Sequence, residues 1–265
     1  MTMTPVLFLG AGRMGAAIAS GLAKAGAVRA DDLILIEPQP GPELMALARR
    51  GARLNPGRDA LAEARTVVLA VKPQMWRSVA ETYAPYLAAD ARIVSIAAGV
   101  RADVLAAGFG GRPVARVMPT TAVAVGKGVA SVWAADARDR AAARALFAPL
   151  AHLVDLPDED LMDAATAVSG SGPAYVYALV EAMAEAGVAA GLGAQSAAEL
   201  ARATVIGAAA LMEQSAETPE ALRIQVTSPG GTTAAALQVL QGETGLGPLM
   251  TAAVAAAVAR ARELG

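Results

Sequence analysis

A glycine-rich motif near the N-terminus constrains the fold of this chain more than any other stretch. Residues 6–9 form a short apolar run typical of a buried strand, and Gly10-Ala11-Gly12-Arg13-Met14-Gly15 follows it directly. A helical pattern then ends at Gly26, and a second apolar run at 33–36 leads into Glu37. A GxGxxG sequence between strand and helix, with an acid about twenty residues on, predicts a Rossmann-type dinucleotide site.

Each residue of this motif has its own expected role. Gly10 makes the tight turn, Gly12 lets the backbone approach a pyrophosphate, and Gly15 lets helix and strand pack closely. Glu37 can accept hydrogen bonds from a ribose 2′-hydroxyl and repels a 2′-phosphate, so it slightly favours NADH over NADPH. Binding of NADPH stays open, because Arg13 could contact the additional phosphate.

Apolar runs alternate with helical patterns as far as residue 120, which predicts an α/β fold with a doubly wound parallel sheet. Further strands are expected at 67–71, 92–96 and 114–117, with edge strands at 128–132 and 152–156. Ligands of such sheets bind beyond the carboxyl ends of the strands. Gly10, Lys72, Ala97 and Met118 follow or end these strands, so we expect them to converge on one crevice.

The pattern changes after Pro157, beyond which we find no good strand. Alanine-rich helical segments are expected at 159–166, 173–190, 197–214, 219–226, 232–240 and 248–264. Many positions are Ala or Gly on every face, and so small and apolar a helical unit is hard to bury by itself. We therefore expect a Rossmann domain at 1–157 and an all-helical domain at 158–265 that self-associates, most simply as a two-fold dimer. The alternative is that the alanines only reflect a biased composition.

An uncharged stretch between Arg223 and Glu243 contains Ser228-Pro229-Gly230-Gly231-Thr232-Thr233, followed by an apolar run. The proline and the glycines predict a turn that opens a helix. The unpaired N–H groups of the first helical turn, with the two threonine hydroxyls, suit a small carboxylate. The simpler interpretation is an ordinary helix start.

Composition excludes several classes of function. The net charge is −2 and no basic cluster is found, which argues against nucleic acid as a partner. The chain has no cysteine and a single histidine, His152, which argues against thiol catalysis, a histidine dyad and a metal site. The longest uncharged stretches are interrupted by Gly and Pro, so no membrane span is expected. No export signal precedes the first strand, and we expect a cytoplasmic location.

Four stretches together resemble the pyrroline-5-carboxylate reductase family. They are Ala70-Val71-Lys72-Pro73, Ser95-Ile96-Ala97-Ala98-Gly99, Ala167-Val168-Ser169-Gly170-Ser171-Gly172-Pro173-Ala174-Tyr175 and residues 226–240. The resemblance runs over residues 6–264 and implies a Rossmann domain, an all-helical C-terminal dimerisation domain and, often, larger assemblies built from dimers, such as a ring. The activity it implies is hydride transfer from NADPH or NADH to the C=N bond of 1-pyrroline-5-carboxylate, giving L-proline in the last step of proline biosynthesis.

The resemblance also implies the site residues. Cofactor contacts are expected at Leu9, Gly10, Ala11, Gly12, Arg13, Met14, Glu37, Ala70, Val71, Lys72, Pro73, Ala97, Ala98, Gly99 and, near the nicotinamide, Glu159. Substrate contacts are expected at Gln225, Gly230, Gly231, Thr232 and Thr233, with the Thr233 hydroxyl as the catalytic group near the imine nitrogen. Two stretches depart from the family's usual sequence. Thr120-Thr121-Ala122 stands where relatives usually have Asn-Thr-Pro, and Ile224 stands where they often have an acid.

Two other functions stay open on the sequence alone. A related cyclic-imine or hydroxyacid reductase would share this layout, but chemistry at a C–O bond needs an acid–base group, commonly a lysine of the helical domain. This chain has three lysines, Lys24, Lys72 and Lys127, and none after residue 127. A non-catalytic dinucleotide sensor is the second alternative, because a fold does not fix a function.

Overall fold

A mainly parallel sheet of eight strands forms the N-terminal part of the chain in the computed structural model, which describes residues 3–264. The strands are β1 Val6–Leu9, β2 Leu33–Ile36, β3 Arg53–Leu54, β4 Thr66–Leu69, β5 Arg92–Ser95, β6 Val114–Pro119, β7 Gly128–Ala134 and β8 Ala151–Asp155. They lie in the order β3-β2-β1-β4-β5-β6-β7-β8, and all pairs up to β6 are parallel. The chain therefore reverses its direction of winding between β1 and β4, which places a crevice beyond the end of β1.

Helices cover both faces of this sheet. They are α1 Arg13–Lys24, α2 Pro42–Arg49, α3 Trp76–Tyr83, α4 Ala102–Gly108 and α5 Ala137–Phe147. Phe8 packs on one face in a core with residues of α1 and α5, whereas Leu7 and Leu9 pack on the other with residues of α3 and α4. Because both faces are covered, β1 is apolar at every position and fully buried.

The last two strands extend the sheet in a mixed arrangement. β7 pairs antiparallel with β6, and β8 pairs parallel with β7. The connection from Pro119 to Gly128 holds only the short turn Thr121–Val125, which is too short for the crossover that parallel pairing needs. Strands are found at both segments predicted to be edge strands, 128–132 and 152–156, but only β8 lies at the edge of the sheet, because β7 pairs with β6 on one side and with β8 on the other. The sheet is mainly rather than entirely parallel.

The rest of the described chain is helical. Its helices are α6 Met162–Ala165, α7 Gly172–Ala189, α8 Ala194–Gln214, α9 Pro219–Gln225, α10 Thr232–Leu240 and α11 Leu246–Leu264, and a π-helical turn, Thr166–Gly170, follows α6. Contacts divide the chain into a first unit, with the described residues up to Gly170 and from Ala257 onward, and a second unit, Ser171–Ala256. We call them the sheet unit and the helical unit. The domain boundary expected after residue 157 stays a prediction.

Few apolar side chains of the helical unit are buried within the chain. Ala197 and Ala201 of α8 are buried. Ala197 lies against Gly187 of α7, because a β-carbon added to Gly187 would be 3.2 Å from the Ala197 Cβ. Large apolar side chains exposed in this unit include Val176, Tyr177, Leu179, Met183, Val188, Leu192, Leu200, Ile206, Leu211, Met212, Ile224, Val226, Val239, Leu240, Leu246 and Leu249. So much exposed apolar surface indicates a protein interface. Within residues 3–264, no helix has both the length and the apolarity that a membrane crossing requires.

Candidate active site

The turn after β1 requires glycine at residue 10. Gly10 has a φ of +80°, and a β-carbon on it would lie 2.3 Å from Val71 Cγ1. The N–H groups of Gly10 and Ala11 both donate to the carbonyl of Ile36, which ties the turn to the end of β2. Only glycine combines this left-handed backbone with so close a neighbour.

The start of α1 is open for an anion. Gly12 caps the helix without a side-chain hydrogen bond, so no side chain covers the N–H groups of the first turn. Gly15 lets the helix approach the turn, since a β-carbon there would lie 2.6 Å from the Gly10 carbonyl oxygen. These features fit the pyrophosphate of a dinucleotide, because positively polarised N–H groups and an uncrowded backbone are what it binds.

A crevice of about 330 Å³ extends from this turn along the ends of the strands. It is lined by Gly12, Arg13, Met14, Ala70, Val71, Lys72, Ile96, Met118 and Pro119. The structure thus brings Lys72 and Met118 together at the end of the sheet, as the alternation of strands predicts. Arg13 and Lys72 give the crevice two cations, which favour a phosphate-bearing ligand.

Glu37 lies beside the glycine turn, and its position is fixed by neighbouring groups. Its Oε1 accepts a hydrogen bond from the Gln39 N–H at 3.1 Å, and a β-carbon on Gly12 would lie 3.9 Å from its Oε2. The Asn55 side chain accepts from the Glu37 N–H and donates to the Glu37 carbonyl, both at 2.9 Å. The carboxylate therefore faces the turn at which the adenosine half of a dinucleotide is expected.

The loop after β5 contains Ala97, Ala98 and Gly99. Ala97 is buried and its N–H donates to Ser95 Oγ at 3.2 Å, whereas Gly99 has a φ of +74°. Gly99 also lines a second cavity of the sheet unit, about 510 Å³, whose other walls include Trp76, Val100, Arg101, Arg116 and Glu159. This loop, like the crevice, lies at the carboxyl end of the parallel strands.

Glu159 is buried, with only 5% of its surface exposed. Its Oε1 accepts from the Ala102 N–H at 2.7 Å and from Arg116 Nη1 at 2.9 Å, and its Oε2 lies 3.5 Å from Arg101 Nη2. A hydrogen bond to Asp160, with the charges of Glu159 and Asp160, raises the pKa of Arg101. Both Glu159 oxygens therefore interact within the protein, and the expected contact of Glu159 with a nicotinamide stays a prediction.

Thr120, at which the resemblance implies a departure from the family's usual sequence, has a role inside the sheet unit. It is 6% exposed, and its Oγ1 accepts a hydrogen bond from the Val129 N–H at 3.1 Å. Its own N–H donates to the Val129 carbonyl at 2.9 Å. The hydroxyl thus extends the pairing of β6 with β7.

The predicted substrate loop lies in the helical unit and has the turn expected from its sequence. Gly230 has a φ of +69°, and the Gly231 N–H donates to the Ser228 carbonyl at 3.0 Å. The turn before it is held by Thr227, whose Oγ1 donates to the Arg223 carbonyl at 2.6 Å. Gly231 then caps α10 without a side-chain hydrogen bond.

Thr232 and Thr233 begin α10, at the bounds predicted for this helix. Both are exposed, and neither hydroxyl has a hydrogen-bond partner among the described residues. Gln225, at the end of α9, is exposed as well. The first turn of α10 thus offers N–H groups and two free hydroxyls, an arrangement that suits a carboxylate.

Two residues of the candidate site were not identified from the sequence: Asn55, which bonds to the Glu37 backbone, and Arg116, which lines the second cavity. Asn55 follows the two-residue strand β3, which is too short to leave a pattern. Arg116 interrupts the apolar run at 114–117, and a charge inside a buried strand indicates a buried partner. That signal could have pointed to Arg116, although not to Glu159 as its partner. Across residues 3–264, no group of three or more His, Asp or Glu side chains could hold a metal ion.

Comparisons with known proteins agree over the whole chain. Residues 159–264 match the family described as pyrroline-5-carboxylate reductase dimerisation, and residues 5–99 match the one described as NADP oxidoreductase, coenzyme F420-dependent. Pyrroline-5-carboxylate reductase of Pisum sativum is 38% identical over 261 residues, which are 97% of this chain and 94% of that protein.

Solved structures show the same similarity. A pyrroline-5-carboxylate reductase from Coxiella burnetii matches with a TM-score of 0.90 at 30% identity, over 100% of this chain and 99% of that one. Plasmodium falciparum pyrroline carboxylate reductase, solved with NADP bound, matches with a TM-score of 0.83 at 28% identity, also over 100% and 99%.

Proposed function

The chain belongs to the pyrroline-5-carboxylate reductase family and catalyses the NAD(P)H-dependent reduction of 1-pyrroline-5-carboxylate, and from this premise we propose how its two units share the reaction. The sheet unit holds the dinucleotide, and the helical unit holds the carboxylate of the imine. One observation carries this division. Each unit has a helix, α1 or α10, that is capped by a glycine, Gly12 or Gly231, without a side-chain hydrogen bond. A glycine of positive φ, Gly10 or Gly230, lies one or two residues before that cap.

The sheet unit binds the nicotinamide dinucleotide along its crevice. The N–H groups that begin α1 contact the pyrophosphate, and Arg13 and Lys72 add positive charge. The remaining contacts are Leu9, Gly10, Ala11, Gly12, Met14, Ala70, Val71, Pro73, Ala97, Ala98 and Gly99. When bound, the reduced nicotinamide supplies the hydride that is added to the C=N carbon.

The helical unit orients the imine. The N–H groups at Gly230, Thr232 and Thr233 bind its carboxylate, and Gly231 shapes the turn beneath it, since the Gly231 N–H donates to the Ser228 carbonyl. The exposed Gln225 contacts the ring from the end of α9. Holding the substrate in one orientation is the main contribution of such a site, because a protonated imine is already a strong electrophile. No powerful general acid is required.

Thr233 is the catalytic residue in this proposal. Its exposed hydroxyl has no partner among residues 3–264, so it is free to form a hydrogen bond near the imine nitrogen. Because the nitrogen of a protonated imine has no lone pair, its N–H donates to Thr233 Oγ1, and this bond orients the C=N bond for hydride transfer. The absence of lysine after residue 127 disfavours a hydroxyacid reductase, which needs an acid–base group.

We propose that NADH is preferred over NADPH. The half-buried Glu37 carboxylate faces the glycine turn, where it can accept hydrogen bonds from a ribose 2′-hydroxyl. A 2′-phosphate at that point would be repelled by the carboxylate. Arg13 lines the crevice and is the residue that could offset this repulsion.

The chain carries the family's dimerisation domain and self-associates through it. We propose a two-fold dimer formed by residues 158–265, with dimers further assembled into a ring. The exposed apolar side chains of the helical unit support this, because they need a partner surface. The cytoplasmic location expected from the sequence stays a prediction.

The test is an optical assay with purified protein and NADH or NADPH, to which 1-pyrroline-5-carboxylate is added. A reductase oxidises the nucleotide only when the imine is present and forms proline in equal amount. A sensor would bind the nucleotide without consuming it, and a hydroxyacid enzyme would instead reduce NAD+ or NADP+ on addition of a hydroxyacid. Either of these outcomes contradicts the proposal.

A further inference from the structure

A buried ion pair joins β6 to the first turn after β8. Arg116 lies in β6 and Glu159 begins the turn Glu159–Leu161, and both side chains are 5% exposed. Arg116 Nη1 donates to Glu159 Oε1 at 2.9 Å. The two residues are 43 positions apart, so their contact connects separate parts of the sheet unit.

Glu159 also fixes the start of α4. Its Oε1 accepts the N–H of Ala102 at 2.7 Å, whereas the residue in the usual capping position, Arg101, makes no side-chain cap. The carboxylate thus satisfies one of the free N–H groups of the helix from a distant part of the chain. Ala102 is three residues after Gly99, the end of the predicted cofactor loop.

Stability alone is a poor explanation for this pair. Removing two charges from water is costly, and apolar side chains of similar volume often stabilise a protein at least as well. In addition, the buried Nη2 of Arg116 has no hydrogen-bond partner among the described residues. An arrangement that leaves a donor unsatisfied is better explained by the geometry that it imposes.

The ion pair connects two segments near the dinucleotide crevice, the one that follows Gly99 and the end of β6. Glu159 holds the segment that leads from Gly99 into α4, and Arg116 precedes Met118 and Pro119, which line the crevice. We propose that Arg116 and Glu159 are positioning residues that set the place of the 97–99 loop against the end of β6, and thereby the binding of the nicotinamide half of the cofactor. This inference rests on the proposed role of residues 97–99.

The experiment replaces the pair by apolar residues, as R116M/E159L, in the full-length protein. The matched control is R92M/D139L. Arg92 and Asp139 also form an ion pair between a strand and a helix, and their side chains are 20% and 14% exposed. Arg92 begins β5, so this pair lies at the end of the strand away from residues 97–99. The readouts are the Kd for NADH by calorimetry, kcat and KM for the imine and for NADH, the Tm, and hydrogen exchange at residues 97–105.

We expect R116M/E159L to keep a Tm close to that of the control, to bind NADH at least about tenfold more weakly, and to exchange faster at 97–105. The KM for the imine should change much less than the KM for NADH. Unchanged NADH binding and exchange, or the same losses in R92M/D139L, would overturn the proposal.

A conservative variant keeps the inference testable if the double variant does not fold. E159Q retains an oxygen that can accept the Ala102 N–H, so we expect NADH binding within about threefold of the wild type, against a tenfold or greater loss in E159L. Equal losses in E159Q and E159L would overturn the proposal. NADH binding is measured without the imine, so the result is independent of the roles proposed for the helical unit and Thr233.

Discussion

The side chain of Asn55 holds the backbone of Glu37 from both sides. Its Oδ1 accepts the Glu37 N–H and its Nδ2 donates to the Glu37 carbonyl, each at 2.9 Å. Asn55 has a φ of +47°, a left-handed conformation that asparagine tolerates better than most residues. With the Gln39 N–H, which donates to Glu37 Oε1 at 3.1 Å, these bonds hold both the backbone and the carboxylate of Glu37 beside the glycine turn.

Replacing Glu37 by serine should therefore change the cofactor preference. E37S removes the negative charge and leaves a hydroxyl, so we expect the ratio of kcat/KM for NADPH to that for NADH to rise at least about tenfold. Initial rates with both nucleotides on the imine give this ratio. E43S is the control, because Glu43 is an exposed acid of α2 that does not line the crevice. An unchanged ratio in E37S would contradict the role proposed for Glu37.

Much of the sheet unit could be predicted because its strands are apolar runs with a strong local pattern. The strands at 67–71, 92–96 and 114–117 are found within two residues of those bounds, and the glycine turn follows β1 as expected. β3 is only two residues long, so it left no pattern, and with it Asn55 went unnoticed. The antiparallel direction of β7 follows from the short connection between β6 and β7, and the residues of β7 themselves do not reveal it.

The site could be predicted less completely, because some of its interactions join residues far apart in sequence. The glycines and the α10 turn are local, and their positive φ values follow from the motif itself. The contacts of Glu159 with Arg116 and Ala102 depend on the packing of the whole sheet unit. Family resemblance places Glu159 near the nicotinamide, but it does not reveal that both carboxylate oxygens interact with the protein.

Alanine at residue 10 should impair dinucleotide binding. The added β-carbon would lie 2.3 Å from Val71 Cγ1 and 3.1 Å from the Ala70 carbonyl oxygen at a φ of +80°, so either the turn or the segment after β4 must move. We expect G10A to weaken NADH binding at least about tenfold and to lower the Tm, since the left-handed backbone alone costs an L-residue about 1–2 kcal/mol.

The control for this change is G26A. Gly26 also has a positive φ, +69°, but no atom lies within 4 Å of its added β-carbon. G26A should therefore show the stability loss with NADH binding unchanged, as measured by calorimetry and thermal unfolding. Equal NADH binding in G10A and the wild type would show that the turn tolerates a side chain and would refute the steric argument.

Alanine at residue 233 should reduce catalysis without affecting the dinucleotide. The Thr233 hydroxyl is exposed and has no partner among the described residues, so its removal breaks no internal hydrogen bond. Loss of one hydrogen bond to a charged centre should lower kcat/KM for the imine about 10- to 100-fold. Steady-state kinetics and NADH calorimetry separate the two effects.

T251A is the matched control for T233A. Thr251 is an exposed threonine of α11 whose Oγ1 donates to the Gly247 carbonyl, so its removal tests the general sensitivity of the helical unit. We expect T251A to keep kcat/KM within about twofold of the wild type, as for a surface substitution. Full activity in T233A, or a loss of NADH affinity equal to its loss of activity, would argue against the proposed contact.

A charge on the apolar surface of the helical unit should weaken self-association. Ile206 of α8 is 59% exposed and lines a groove with Val176 and Tyr177 of α7, which are 42% and 64% exposed. If this groove lies in the interface, I206D buries an unpaired carboxylate on assembly, and the dissociation constant should rise at least about tenfold. Light scattering across a dilution series measures the change.

V125D is the control, because Val125 is 76% exposed in the sheet unit and outside the dimerisation segment. NADH binding should remain normal in both variants, since the crevice is formed within the sheet unit. An I206D protein with unchanged mass at every concentration would exclude this groove from the interface.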